Sequence, residues 1–254
     1  MLKRYYRKCL QYPALRKLLR ISRAKLQVIA GYSDPFFDLG HIAQESKTSL
    51  FLDIGCHRGD TLLRFIESGV HCPVAAFDPF SDNIQHAKIL LRNFPQITFH
   101  QIALSNLDGT ATFYKNRNEQ TSSLLPNDTG NISSFAADTT PLGSCQVTTN
   151  TLDTWAAENG VTGPCIVKCD TQGAEGLVIQ GGRSFIRKHC VAFYGEIMLG
   201  DMYKGQSSFG AIRQLLEKDC GMVLKNIYPC LHDKDGRAVQ MDALWVKSEL
   251  LALT

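Results

Sequence analysis

Apolar residues come along this chain in two rhythms. Short dense runs, "LFLDI" (50–54), "PVAAFDP" (73–79), "CIVKCD" (165–170) and "CVAFYGEI" (190–197), have the length and composition of strands buried on both faces. Between the first two, Leu62, Leu63, Phe65 and Ile66 recur at helical spacing, and Gly69 ends the pattern. Ser81 is placed to cap a second helix, "DNIQHAKILLRN", ahead of a third strand, "ITFHQI" (97–102). Strand and helix alternating in this way predict an α/β fold with a doubly wound parallel sheet.

The pattern changes after residue 102. "ALSNLDGTATFYK" carries an Asp108-Gly109 turn into a short alternating strand, and residues 116–146 are polar, rich in Ser, Thr and Asn. So long a structureless stretch inside a domain reads as a functional loop or lid. The alternation resumes at residue 165, with a helix around "AEGLVIQ", a capped helix in "SSFGAIRQLLEKDC" and closing strands near 222–228 and 241–247. "GYSDPFFDLG" (31–40) reads as a linker, and the chain holds no internal repeat or low-complexity tract.

Length and charge refine this picture. At 254 residues the chain suits one domain with an appendage. Residues 1–33 hold nine of the 27 Lys and Arg and no acid, so the remainder carries 18 basic against 24 acidic residues, a net of −6. The expected organisation is a basic N-terminal helical segment, 1–33, and a domain, 34–254. From Pro13 onward Leu15, Leu18, Leu19 and Leu26 share one helical face and Arg16, Arg20 and Arg23 another, a basic amphipathic pattern suited to an anionic membrane surface, a polyanionic glycan or a partner protein. A solvated basic face on a docked helix explains it equally well. Nucleic acid is the poorer fit, since aromatic residues are not interleaved with the basic ones. Nine scattered cysteines point to a reducing compartment, and Cys165 and Cys169 lack the further ligands of a zinc set. No run of about 18 apolar residues and no signal peptide is evident. The expectation is a cytoplasmic protein, peripheral at the inner membrane surface if its basic segment binds lipid, with no metal site.

The candidate chemistry begins at "FLDIGCHRGD" (51–60). Ligands of open parallel sheets bind beyond the carboxyl ends of the strands, where Asp53 falls. Gly55 and Gly59 clear side chains from the turn, and the following helix offers its N-terminal amides. D-x-G-x-x-x-G is not the dinucleotide G-x-G-x-x-G and lacks the Lys and Ser or Thr of a phosphate loop, so an adenosine ligand without phosphate suits it better. Asp78, ending the second strand, is placed to accept the ribose hydroxyls, and His57 lies within the turn, able to touch a ligand.

Here the sequence resembles the FkbM family of S-adenosylmethionine-dependent methyltransferases, from about residue 50 to 247. The resemblance rests on ordered blocks: "FLDIGCHRGD", "VAAFDPFSDN", "IALSNLDGTATFY", "SSLLP", "TNTLDTW" and "IVKCDTQGAEGLVIQGG". Cys56 and His57 stand where that family commonly has Ala-Asn. The resemblance implies a Rossmann-like class I fold: a seven-stranded, mostly parallel sheet, last strand antiparallel, helices on both faces, and a hairpin or loop insertion between strands three and four. It also implies that Asp53, Gly55 and Gly59 hold the methionine part of the cofactor, Asp78 with Pro79 beside it the ribose, and Ile102, Ala103 and Leu104 the adenine. Asp170 then faces the methyl group and its acceptor. A hydroxyl acceptor needs a base or strong hydrogen-bond acceptor beside it, for which Asp170 stands first, with Glu175 and Glu196 behind it. Glu175 reads equally well as an acid in the first turn of a helix, and Lys168 as a strand-end partner for an acid. Enzymes acting on the amines of bases carry an Asn- or Asp-Pro-Pro-aromatic turn where this chain has "CDTQG", so an oxygen acceptor on a sugar or small natural product is expected, with Ser122, Ser123 and Leu124 in a covering lid. Two rivals remain open: an RNA or protein methyltransferase docking through the basic segment, and a non-catalytic nucleotide-binding or membrane-recruited module.

Overall fold

The computed structural model describes residues 34–128 and 139–251; the basic segment 1–33 and the middle of the 116–146 stretch lie outside them. The described chain opens with α1 (Pro35–Glu45), β1 (Leu50–Ile54), α2 (Asp60–Glu67), β2 (Val74–Phe77), α3 (Ser81–Leu90) and β3 (Ile97–His100). After these come β4 (Ala103–Ser105), β5 (Gly109–Asn116), β6 (Pro141–Thr151), α4 (Leu152–Glu158) and β7 (Cys165–Cys169). The next are α5 (Glu175–Gly181), α6 (Arg183–His189), β8 (Cys190–Met198) and α7 (Phe209–Arg213), which runs on into a π-helical stretch, Gln214–Asp219. The chain closes with β9 (Val223–Ile227), β10 (Leu231–His232) and β11 (Ala238–Val246).

One sheet runs in the order β3-β2-β1-β7-β8-β11, with β9 and β10 both on the far side of β11. The first five strands are mutually parallel and β11 is antiparallel to β8. The two-residue β10 makes eight strands among the described residues, one more than the resemblance implied. Side chains alternate across this sheet. Leu52, Ile54, Val167 and Cys169 pack with Trp155, Val178, Ile186 and Ile212 of α4–α7, while Phe51 and Ile166 pack with Ile42, Phe65 and Ile84 of α1–α3. Helices therefore cover both faces, and the central strands need unbroken apolar runs. The same alternation sets Asp53 on the face of Phe51 and Lys168 on the face of Ile166, and the parallel register makes them neighbours. Strand order reverses between β1 and β7, which fixes where a ligand site opens.

Several sequence expectations are corrected. The 31–40 linker is in part helix: Asp34 accepts the Phe36 amide at 2.9 Å, Pro35 takes the first turn, and Leu39, Ile42 and Ala43 are buried. Ser81 caps nothing; it is the first residue of α3, and the Phe80 amide bonds to Asp78 Oδ1 instead. The third strand stops at His100, and residues 103–105 join a second, three-stranded sheet of order β4-β6-β5. The polar stretch after residue 116 holds a one-turn helix, Glu119–Thr121, and ends in β6, antiparallel to β5. No helix among the described residues is long and apolar enough to cross a membrane.

Candidate active site

The turn after β1 answers to its surroundings. Gly55 has φ +78°, and a Cβ there would fall 1.9 Å from the Asp170 carbonyl oxygen; Gly59 has φ +85°, and its Cβ would meet Leu91 Cδ1 at 2.9 Å. The bareness is thus demanded by the close approach of the chain leaving β1 to the chain leaving β7 and by packing on α3. Among the described residues three non-glycines have positive φ, and two of them, His57 (φ +47°) and Gln172 (φ +55°), line the cavity that opens here. Backbone strain of this kind gathers at functional sites.

That cavity, of about 340 Å³, lies at the carboxyl ends of β1, β2 and β7. On one side are Asp78 and Pro79 after β2, the apolar Ile102 with Ala103 and Leu104 of β4, and the rings of Phe80 and Phe113, stacked edge to face at 5.0 Å. Asp78 is 6% exposed; its Oδ1 accepts the Phe80 amide at 2.9 Å and Asn83 Nδ2 at 3.1 Å. Burial pushes its carboxyl up, against those two donors.

The opposite side is acidic. Asp170 follows β7 directly, and Glu196 projects from β8. Gln172 Nε2 donates to Asp170 Oδ1 at 3.0 Å and to Glu196 Oε2 at 2.6 Å, and Gln240 Nε2 donates to Glu196 Oε1. Burial pushes the Glu196 carboxyl well up, with Asp170, Glu175 and Asp242 adding to it. Beneath them Lys168, buried in the centre of the sheet, donates to the Gly55 carbonyl at 2.8 Å and lies 2.9 Å from Asp53 Oδ1 and 3.6 Å from Asp170 Oδ2. Burial alone lowers a lysine, but Asp53 and Asp170 outweigh it and hold the ammonium above its usual range. Asp53, wholly buried, is the nearest acid to that ammonium, and burial pushes its own carboxyl up while Lys168 opposes the shift.

The roof comes from the insertion. Glu119, Gln120, Ser122 and Leu124 line the cavity, whereas Ser123 points away from it and braces the loop by donating to the Thr171 carbonyl at 3.4 Å. Arg58 Nη2 donates to Glu119 Oε2 at 2.7 Å across the cavity mouth, and the Tyr203 hydroxyl donates to the Thr121 carbonyl at 2.8 Å.

Of the cofactor-binding and catalytic residues expected from sequence, Gly55, His57, Asp78, Pro79, Ile102, Ala103, Leu104, Asp170 and Glu196 meet around this one cavity. Three do not. Asp53 is wholly buried and spent on Lys168; Gly59 packs against α3; Glu175 turns inward, its Oε1 accepting the Thr171 amide at 2.7 Å, the Thr171 hydroxyl at 3.0 Å and the Gly173 amide at 3.3 Å. Glu175 shapes the turn that carries Asp170 and Gln172 and touches no cavity surface. Sequence reasoning passed over Arg58, Asn83, Phe113, Glu119, Gln120 and Gln172. A charged residue inside an otherwise apolar strand was the available signal for Lys168; nothing in the sequence distinguished Gln172. Among the described residues no group of three or more His, Cys, Asp and Glu is arranged to hold a metal ion.

Comparison with known proteins bears on this geometry. Residues 53–224 match the family model described as the methyltransferase FkbM domain. The chain is 25% identical over 178 residues to a 2-O-methyltransferase, NoeI, of Sinorhizobium fredii, covering 68% of this chain and 72% of that protein. Similar solved structures include Aeropyrum pernix fibrillarin with bound S-adenosyl-L-methionine, 10% identical over 78% of this chain and 66% of that one, TM-score 0.42. Another is the Burkholderia thailandensis 1,6-didemethyltoxoflavin-N1-methyltransferase, 11% identical over 93% and 89%, TM-score 0.43.

Proposed function

Because the chain belongs to the FkbM methyltransferase family, we propose that it transfers a methyl group from S-adenosylmethionine to a hydroxyl of a sugar or other small natural product. The observation that carries this reading is the continuity of the cavity: one space joins a carboxylate and apolar wall suited to an adenosine to a pair of acids suited to a hydroxyl. The residues fit the donor. Asp78 offers a carboxylate to a ribose diol, Ile102 and Leu104 offer apolar flanks to a purine, and Gly55 keeps the turn bare. When bound, the donor supplies an electrophilic sulfonium methyl; the chain supplies placement and a path for the acceptor's proton. Asp170, its side chain about one-third exposed to the cavity, accepts the hydrogen bond of the acceptor hydroxyl. Lys168 behind it offsets the charge gathered on Asp170 and Asp53. The name of the Sinorhizobium relative supports oxygen as the accepting atom.

Titration calorimetry with S-adenosylhomocysteine tests the class. Binding in the micromolar range is expected for the wild type, none for NAD, and at least about tenfold weaker binding for Asp78→Ala, which forfeits roughly 1.4 kcal/mol or more of charge-assisted hydrogen bonding. A folded wild type that binds no S-adenosylhomocysteine sinks the proposal.

A further inference from the structure

We infer that Gln172 is a positioning residue of this site, its side-chain amide holding Asp170 and Glu196 in one hydrogen-bonded frame that fixes how the acceptor hydroxyl meets them. The inference deepens the methyl-transfer reading and rests on it for its catalytic meaning. Four observations converge. Gln172 lines the cavity between the two acids and gives one amide N–H to each, at 3.0 Å to Asp170 Oδ1 and 2.6 Å to Glu196 Oε2. Its Oε1 accepts the Tyr203 hydroxyl at 3.1 Å, and that hydroxyl also reaches the Thr121 carbonyl in the roof. Its backbone is held at φ +55°, a left-handed conformation in which glycine is at home and glutamine is strained. The turn is fixed from behind by Glu175, which binds the Thr171 and Gly173 amides on either side of it. A residue kept in strained backbone, with every side-chain polar atom engaged by a site acid or by Tyr203, is placed for what its amide does.

Without that amide the two carboxylates face each other through the cavity with less to restrain them. The charged and titratable groups around Glu196 are Lys168 of β7, Asp170 just after it, Glu175 of α5, Asp242 of β11, and Tyr203 ahead of α7; Gln240 of β11 is its other amide donor. Lys168 alone among these favours the ionised form by charge, and the two glutamine amides donate to the Glu196 oxygens, Gln172 to Oε2 and Gln240 to Oε1. An N–H donated to a carboxylate favours its charged form, and removing the Gln172 donor must therefore raise the pH at which Glu196 ionises.

The test uses the full chain and needs no acceptor. Protein labelled with 13C at glutamate carboxyls is titrated as wild type, Gln172→Leu and Gln172→Gly, with the Glu196 signal assigned by its loss in Glu196→Gln. The expected result is a Glu196 midpoint about one pH unit or more higher in both Gln172 variants. Affinity for S-adenosylhomocysteine should stay within about threefold of wild type, since the adenosine side of the cavity is untouched. Gln172→Gly relieves the backbone strain, so it carries the test if Gln172→Leu fails to fold. A Glu196 midpoint unchanged or lowered in the folded variants overturns the proposal, and collapse of both variants overturns it by assigning Gln172 to the fold. Wild-type protein that binds no S-adenosylhomocysteine overturns the methyltransferase reading instead, whatever the Glu196 titration shows.

Discussion

Lys168 sits where a strand buried on both faces would ordinarily take a valine, and its ammonium is held by Asp53, Asp170 and a backbone carbonyl. Breaking such a pair leaves a buried charge uncompensated. Lys168→Met is expected to lower stability by about 3–5 kcal/mol in urea unfolding at pH 7, and Asp53→Asn added to it should recover part of that loss. Equal stability of Lys168→Met and wild type would show that the pair contributes nothing to the fold. At this scale the sequence was half legible. Asp53, Gly55 and Asp78 stood out because a charged residue or glycine at the end of an apolar run has few reasons to be there. The contacts of Asp53 and Gly59 were not legible, because both are set by neighbours that only the strand order reveals: β7 beside β1, and α3 beneath the turn. Gln172 could not be read at all, since its meaning lies in the gap between two acids 26 positions apart, Asp170 and Glu196, closed by the pairing of β7 with β8.

Among elements, the insertion and its supports matter most. β5 and β6 pair along their length but leave much of their surface in solvent, so they show little of the apolar alternation that marks a strand. That is why residues 141–146 read as loop, while β1, β2, β7 and β8, with two faces to bury, were legible to within two residues. Helix α1 was missed for the opposite reason: Asp34-Pro35, read as the punctuation of a linker, is an N-cap followed by a first-turn proline. The roof turn, Glu119–Thr121, depends on Tyr203 from a distant loop. Tyr203→Phe removes a buried donor from the Thr121 carbonyl and from Gln172, a loss of about 1–2 kcal/mol. Amide exchange at residues 119–124 is expected to quicken about tenfold while that of β1 and β7 is unchanged. Uniform quickening across the sheet would mean that Tyr203 supports the domain rather than the roof.

For the molecule as a whole, the gathering of acids in one half of the sheet ends makes stability depend on pH. Burial pushes Glu175 to about 7 from an ordinary 4.5, although the Thr171 amide and hydroxyl oppose the shift. The folded state thus keeps this proton where the unfolded chain releases it. The contribution is fully present below about pH 4.5, falls as pH rises to about 7, and is absent above. Glu175→Gln should flatten that slope, shrinking the fall in unfolding free energy between pH 5 and pH 8 by on the order of 2 kcal/mol. An identical fall in variant and wild type, measured in urea at both pH values, would place the proton elsewhere. The insertion has a different consequence at the same scale. Its two strands leave and rejoin the domain side by side, with Gly109 opposite Thr149, while Glu119, Gln120, Ser122 and Leu124 between them line the cavity. Because the excursion starts and ends at this one point, replacing it as a single stretch should leave the pairing of the main sheet untouched, and among the partners it would lose outside itself is the Tyr203 hydroxyl.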